Sequence, residues 1–217
     1  MPEAKFCVGC GHPIALMALN KVLDEMGLTK KAVLGLDIGC SLLAWNYLPV
    51  NTFQTHHGRV TPTMLAFKRA RPGSICLAYA GDGGSYAIGW QSLFHAARRD
   101  EPITVIVINN TIYAMTGGQT APTTMHGEKT PTSPNGYPDE PFHGPEILKD
   151  IVKPGAYIAR TAVNDMAQMR MFIKKSDRNT AGRPFFFGGI FISLSCQLAY
   201  QRTGYFEIFG RKYETGV

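Results

Sequence analysis

The stretch "CLAYAGDGGSYAIGWQSLFHAARRDEPITVIVINNTIYAMTGG", Cys76 to Gly118, decides the fold. "SICLAYA" has the length of a buried strand and runs into a glycine turn. Gly84 to Arg99 reads as a helix, and "ITVIVI" is a second buried strand closed by two asparagines. Strand, crossover helix and strand of these lengths make a right-handed βαβ unit with parallel strands. Side chains able to do chemistry are sparse here, so the segment is expected to hold a cofactor.

In such a unit a ligand settles beyond the carboxyl end of a strand, where the loop meets the next helix. Gly81, Gly83 and Gly84 let the backbone approach a bound group, and free N–H groups at the helix start favour phosphate. Asp82 would repel that phosphate unless a divalent cation lay between them. Mg²⁺ suits the position, because it takes oxygen ligands and shares them with substrate phosphates. Asn110, at the tip of the neighbouring strand, supplies a second oxygen. GDG followed by 25 residues and then NN resembles the thiamine diphosphate motif. That resemblance implies that Asp82, Asn110 and the backbone carbonyl of Ile112 hold the Mg²⁺ of the diphosphate.

Outward from this unit the chain continues the same alternation. "HPIALMALNKVLDEMG" (His12 to Gly27) is amphipathic with helical spacing, "AVLGLDIG" is a buried strand, and "TPTMLAFKRARPG" is a helix with a basic end. "GAYIARTAV" is a later strand, and "NDMAQMRMFIKKS" a helix with Asn164 as its N-cap. The expected fold is α/β, a doubly wound, mostly parallel sheet with helices on both faces, forming one domain over residues 1–217. Residues 117–146 form a long Gly/Pro-rich loop. Following a strand's carboxyl end, it is either disordered or a lid, and its place favours a lid.

The 217 residues carry a net charge of +6, but Lys and Arg are scattered without a dense basic block, which argues against nucleic acid. No apolar run approaches the roughly 20 residues of a membrane span, and the start has no signal-like apolar segment. A cytoplasmic protein is expected. In that compartment five cysteines, two of them in Cys7-Val8-Gly9-Cys10, point to metal or redox chemistry. A structural zinc site usually brings a second such pair, which is missing. C-x-x-C with a distant third cysteine, Cys40, and a remote fourth can instead hold a [4Fe–4S] cluster. Cys76, inside an apolar strand, reads as inert core.

"CVGCGH", "DIGCS", "HGR" (His57 to Arg59) and "NNTIYAMTGGQTAPTT" together resemble the β subunit of the 2-oxoacid:ferredoxin oxidoreductases, from about Phe6 to Val163. The resemblance implies CoA-dependent oxidative decarboxylation of a 2-oxoacid, with electrons passing through the cluster to ferredoxin. It implies an α subunit carrying the pyrimidine-binding domain and the activating glutamate, with further small subunits. This chain shows no comparable second domain and is expected to be half an active site. Gly11, His12, Cys40, Ser41 and His57 match positions expected near the cofactor. The family usually continues GDG with another Asp, where this chain has Gly84. Leu42, Leu43 and Trp45 offer no cation for a second carboxylate, which favours 2-oxoisovalerate over 2-oxoglutarate. A non-oxidative thiamine-dependent decarboxylase subunit is the second reading, and a zinc-ribbon nucleic-acid module a remote one.

After Arg183 the resemblance fails. The family pattern calls for a strand and a Cys-Pro-x-Asn-Trp segment with the fourth cluster ligand, whereas this chain has Cys196 in other surroundings. Codons exist for Phe186 to Tyr200 that, read one nucleotide along, give "FSVEFLSPCPANWLT". Residues 184–217 are therefore expected to be a divergent tail or the product of a frameshift near Phe185 to Phe187. The nucleotide sequence decides between them.

Overall fold

A computed structural model describes residues 5–178 and 188–193. Strands β1 (Ala32–Leu36), β2 (Asn51–Gln54), β3 (Ile75–Gly81), β4 (Thr104–Asn109), β7 (Tyr157–Ala162) and β8 (Gly188–Ser193) form one sheet in the order β2-β1-β3-β4-β8-β7. Every pairing in it is parallel. A separate antiparallel pair joins β5 (Ile112–Tyr113) to β6 (Gln119–Thr120). The doubly wound expectation holds.

Alternation along the central strands explains why both faces need helices. Leu34, Leu36, Leu77, Tyr79, Ile106 and Ile108 point to one side, where they pack with α1 (His12–Glu25) and α5 (Met166–Arg178). Val33, Cys76, Ala78, Ala80, Val105 and Val107 point to the other, against α2 (Val60–Ala70), α3 (Trp90–Arg99) and α4 (Gly144–Lys149). A strand apolar at every position is stable only when covered on both faces. Cys76 lies in this core, as expected, and burial pushes its thiol up.

Four local expectations change. The helix after GDG is two pieces, a π-helical turn at Gly83–Ile88 and then α3, separated by Gly89. β2 was not anticipated, because "NTFQ" is a four-residue edge strand with no alternation to read. Asp165, not Asn164, caps α5, its Oδ1 accepting the Gln168 N–H at 2.8 Å. The segment 117–146 contains β6 and the start of α4, and threonines near its beginning fold back onto the Asp82 site. In the tail, β8 supplies a central strand after Arg183. The remaining tail residues, Cys196 and most of the proposed frameshift segment among them, lie outside the described residues.

Candidate functional site

β3 ends at Gly81 and β4 at Asn109 on adjacent parallel strands, so Asp82 and Asn110 leave the same edge of the sheet side by side. Asp82 is only 2% exposed, and burial lifts its carboxyl to about 6 although Thr123 and nearby backbone N–H groups pull it down. Thr111 follows at φ +64°, a left-handed conformation that is strained for a β-branched residue. Asn109 Oδ1 accepts the Thr111 N–H at 3.0 Å, and the Thr124 hydroxyl donates to the Thr111 carbonyl at 2.5 Å. These contacts hold the turn that brings the Asn110 side chain and the Ile112 carbonyl towards Asp82.

The outcome is a convergence of oxygens. The Asn110 amide oxygen, as placed, stands 3.2 Å from Asp82 Oδ1 and 2.8 Å from the Ile112 carbonyl oxygen, so that three acceptors face one another without a proton to share. Rotating the amide puts its NH₂ there and satisfies both neighbours; a cation satisfies all three with the oxygen in place. Metal–oxygen bonds of about 2.0–2.1 Å at right angles set neighbouring ligand oxygens about 3 Å apart. The donor set fits Mg²⁺ in chemistry, and the two separations from the Asn110 amide are of this size, with Asp82, Asn110 and Ile112 as the residues that would hold the ion.

The start of the loop seals this corner. Thr123 Oγ1 bonds to Asp82 Oδ2 and lies 2.9 Å from Asn109 Oδ1, while Thr124 Oγ1 also accepts the Ala121 N–H. Glu128 accepts the Met125 N–H at 3.1 Å and stands 3.4 Å from the Thr111 hydroxyl. Asn109, Thr111, Thr123, Thr124 and Glu128 were missed from sequence. Of these, only Asn109 has a sequence signal, as the first N of the NN pair.

The first turn after Asp82 is crowded. A Cβ on Gly83 would run into the Tyr113 ring, and one on Gly84 into Asp37 Oδ2. Asp37, at the end of β1, is fully buried; Oδ1 accepts the Gly58 N–H at 2.6 Å, and Oδ2 has no hydrogen-bond partner among the described residues. Burial pushes its carboxyl up, against the pull of His57, whose Nδ1 stands 3.5 Å away. That Nδ1 is 2.9 Å from the Ile38 carbonyl, and the ring remains partly exposed near Tyr113.

Two of the residues expected near the cofactor, His12 and Ser41, are buried with partners inside the protein. His12 is 2% exposed, stacks on Phe6 and bonds through Nδ1 to the Tyr79 hydroxyl at 2.8 Å, and burial lowers its pKa to about 4. Ser41 is 1% exposed and donates to the Asp37 carbonyl at 3.2 Å. Gly11, also buried, opens α1. His12 is engaged by two aromatic side chains, and Ser41 by the backbone of Asp37. Replacing His12 by Ala is expected to destabilise the chain by about 2–4 kcal/mol, from a stranded Tyr79 hydroxyl and a lost ring contact. Urea denaturation measures it, and an unchanged midpoint would remove the anchoring role.

Cys7 is exposed, Cys10 and Cys40 are half-buried, and all three are free thiols. Burial raises the pKa of Cys40, and Cys10 and Cys7 raise it further; burial likewise raises Cys10, with Cys7 adding to it. The three thiols thus share one neighbourhood. Among the described residues, no three Cys, His, Asp or Glu side chains close round a point as a single ion requires. Beside the Cys40–Ala44 turn lies a hollow of about 460 Å³ lined by Leu36, Leu42, Leu43, Trp45, Thr52, Phe53 and Gln54, without a cation. No helix among the described residues is long and apolar enough to cross a membrane.

Comparison with known proteins agrees with this geometry. The ketoisovalerate oxidoreductase subunit VorA of Methanothermobacter thermautotrophicus is 36% identical over 169 residues, 76% of this chain and 35% of VorA. The 2-oxoglutarate synthase subunit KorB of Archaeoglobus fulgidus is 40% identical over 156 residues, 71% of this chain and 57% of KorB. A solved 2-oxoglutarate:ferredoxin oxidoreductase from Magnetococcus marinus, with 2-oxoglutarate, coenzyme A and succinyl-CoA bound, superposes with a TM-score of 0.81. It is 25% identical, and the match covers 90% of this chain and 65% of that one. The alignment thus spans about a third of VorA and less than two thirds of the other two. Residues 37–184 match the profile described as "Thiamine pyrophosphate enzyme, C-terminal TPP binding domain", and with Asp82, Asn110 and Ile112 converging inside that range, the chain belongs to this family of thiamine pyrophosphate-binding domains.

Proposed function

We propose that this chain is the β-type subunit of a 2-oxoacid:ferredoxin oxidoreductase, providing the diphosphate half of a thiamine diphosphate site and three or four ligands of an adjacent [4Fe–4S] cluster. The observation that carries the reading is the Asn110 side-chain amide lying against both Asp82 Oδ1, at 3.2 Å, and the Ile112 carbonyl oxygen, at 2.8 Å. Names of relatives at 36% and 40% identity support the redox class.

In this reading Asp82, Asn110 and Ile112 hold Mg²⁺, and the π-helical turn from Gly83 offers its free N–H groups to the diphosphate. Thr123 and Thr124 clamp the loop over the ion and keep bulk water from Asp82. Cys7, Cys10 and Cys40 lie towards the same edge, as electron transfer from the cofactor requires. Thiamine diphosphate, when bound, supplies the carbon nucleophile for the 2-oxo group. The pyrimidine end and its activating glutamate are assigned to an α subunit, with small subunits, coenzyme A and ferredoxin completing the cycle, in the cytoplasm.

The favoured substrate is 2-oxoisovalerate, because Leu42, Leu43, Trp45 and Phe53 line the hollow beside Cys40 with apolar surface. 2-Oxoglutarate is the second reading, supported by the KorB relatives and met if a partner supplies a cation for its far carboxylate. Anaerobic co-purification of the native complex, with iron and sulfide analysis, is expected to show a cluster and CoA-dependent ferredoxin reduction, faster with 2-oxoisovalerate. Decarboxylation without iron or ferredoxin reduction would establish the non-oxidative alternative, and stoichiometric zinc the ribbon.

A further inference from the structure

The sheet order places β1 and β3 side by side, with β2 outside β1 and β4 outside β3. This is the switch point of a doubly wound sheet, where the connections leave in opposite directions and open a crevice for a ligand. Asp82 guards the β3 side of the crevice. Asp37 stands at its β1 side, a position unclaimed by the motif.

Two independent observations aim Asp37 at the bound group. Its Oδ2 lies against the first turn after Asp82, 1.9 Å from the spot a Cβ on Gly84 would take. It is also a fully buried carboxylate oxygen without a hydrogen bond, next to an Oδ1 held at 2.6 Å by the Gly58 N–H. An orphaned buried acceptor needs a donor. Backbone N–H groups of Gly58, Ile38 and Arg59 favour the charged carboxyl, and His57 Nδ1, 3.5 Å from Oδ2, is already 2.9 Å from the Ile38 carbonyl.

A diphosphate has only acceptor oxygens, so it cannot itself satisfy Asp37; two anionic acceptors side by side repel. A hydrated divalent cation resolves the conflict, since Mg²⁺ keeps several waters when it binds protein carboxylates and phosphates, and each water brings two donors. We propose that Asp37 is a further binding residue of the diphosphate end, its free Oδ2 accepting a hydrogen bond from a water on the magnesium ion that arrives with thiamine diphosphate. This rests on the cofactor reading above. It also accounts for glycine at 84: any side chain there would displace the carboxylate from the crevice.

The test separates the two oxygens of one side chain. Asp37→Asn retains an oxygen for the Gly58 N–H but presents an NH₂ in place of Oδ2, whereas Asp37→Ala removes both. Full-length chain, with any subunit that co-purifies, is titrated with Mg²⁺ at saturating thiamine diphosphate and followed by calorimetry, and ligand-free melting is recorded in parallel. Asp37→Asn should melt close to wild type yet need about tenfold more Mg²⁺ for half-saturation, the size of effect seen for outer-shell partners of metal sites. Asp37→Ala should lose both stability and affinity. Wild-type Mg²⁺ affinity in Asp37→Asn would overturn the inference while leaving the cofactor reading intact, because a donor would then serve as well as an acceptor. A wild-type chain that binds no magnesium–thiamine diphosphate would overturn both.

Discussion

Asp82→Asn should melt higher than the wild-type chain in the absence of ligand and yet lose magnesium-dependent binding of thiamine diphosphate. Both halves come from one buried carboxyl whose pKa stands at about 6 instead of 3.8, with burial as the main cause. The folded chain holds that proton more tightly than the unfolded chain. Its contribution to stability is therefore complete below pH 3.8 and disappears as pH rises through about 6. At pH 7 the ligand-free fold carries an ionised, buried carboxylate at a cost of about 3 kcal/mol, from roughly two pKa units at 1.36 kcal/mol each. A neutral amide removes this cost, which for a chain of this size is worth roughly 6–12 °C in melting temperature. The metal reverses the preference, since Mg²⁺ needs the anion. Mg²⁺ affinity in the wild type should fall about tenfold per pH unit below about 6, and Asp82→Asn should lose at least a hundredfold at pH 7. Calorimetric titration across pH 5–8 measures it; pH-independent affinity would show that Asp82 is not a ligand.

The burial that makes Asp82 costly alone and useful with a cation was readable from sequence because the residue sits between glycines at a strand end, twenty-five residues before a second polar strand end. Local spacing encodes such neighbours when the strands are consecutive and parallel. Thr123 and Thr124 reach the same point from a loop whose path depends on tertiary folding, and a threonine among Thr, Pro and Gly residues gives no local sign of it. Asp37 was hidden for a different reason. Its partners, Gly58 and Gly84, are glycines, 21 and 47 positions away, and contribute only a backbone N–H and an empty space.

His12 shows a motif residue whose packing the motif does not reveal. A histidine following C-x-x-C-G looks like a functional group, but it is the first residue of α1, and a helix start lying over a sheet directs that side chain inward onto Tyr79. The π-helical turn was also illegible. Gly83 to Ile88 has the composition of any glycine-rich helix start, and the turn ends at Gly89, where a Cβ would meet the carbonyls of Gly84 and Gly58. The 56–59 turn thus packs closely against the end of the π-helical turn.

That approach makes Gly84→Ala the second severe substitution. Its new Cβ would overlap Asp37 Oδ2 and stand 3.1 Å from Asp37 Cγ. A flexible surface side chain could swing away, but Asp37 is fully buried and its other oxygen is tied to the Gly58 N–H. The clash must be met by moving β1 or the first turn of the helix, and overpacking of this kind costs roughly 1–3 kcal/mol, or about 2–12 °C in a chain of this length. Because that turn also carries Gly83 and follows Asp82 directly, cofactor binding should be lost even where the fold survives. The decisive comparison is a double-mutant cycle. Once Asp37 is Ala, the nearest remaining neighbour of a Cβ at 84 is His57 Cε1 at 3.6 Å, an ordinary contact. Adding Gly84→Ala to Asp37→Ala should therefore lower the melting temperature much less than adding it to wild type, with a coupling of at least about 1 kcal/mol. Equal losses in the two backgrounds would mean that residue 84 is glycine for reasons unrelated to the carboxylate beside it.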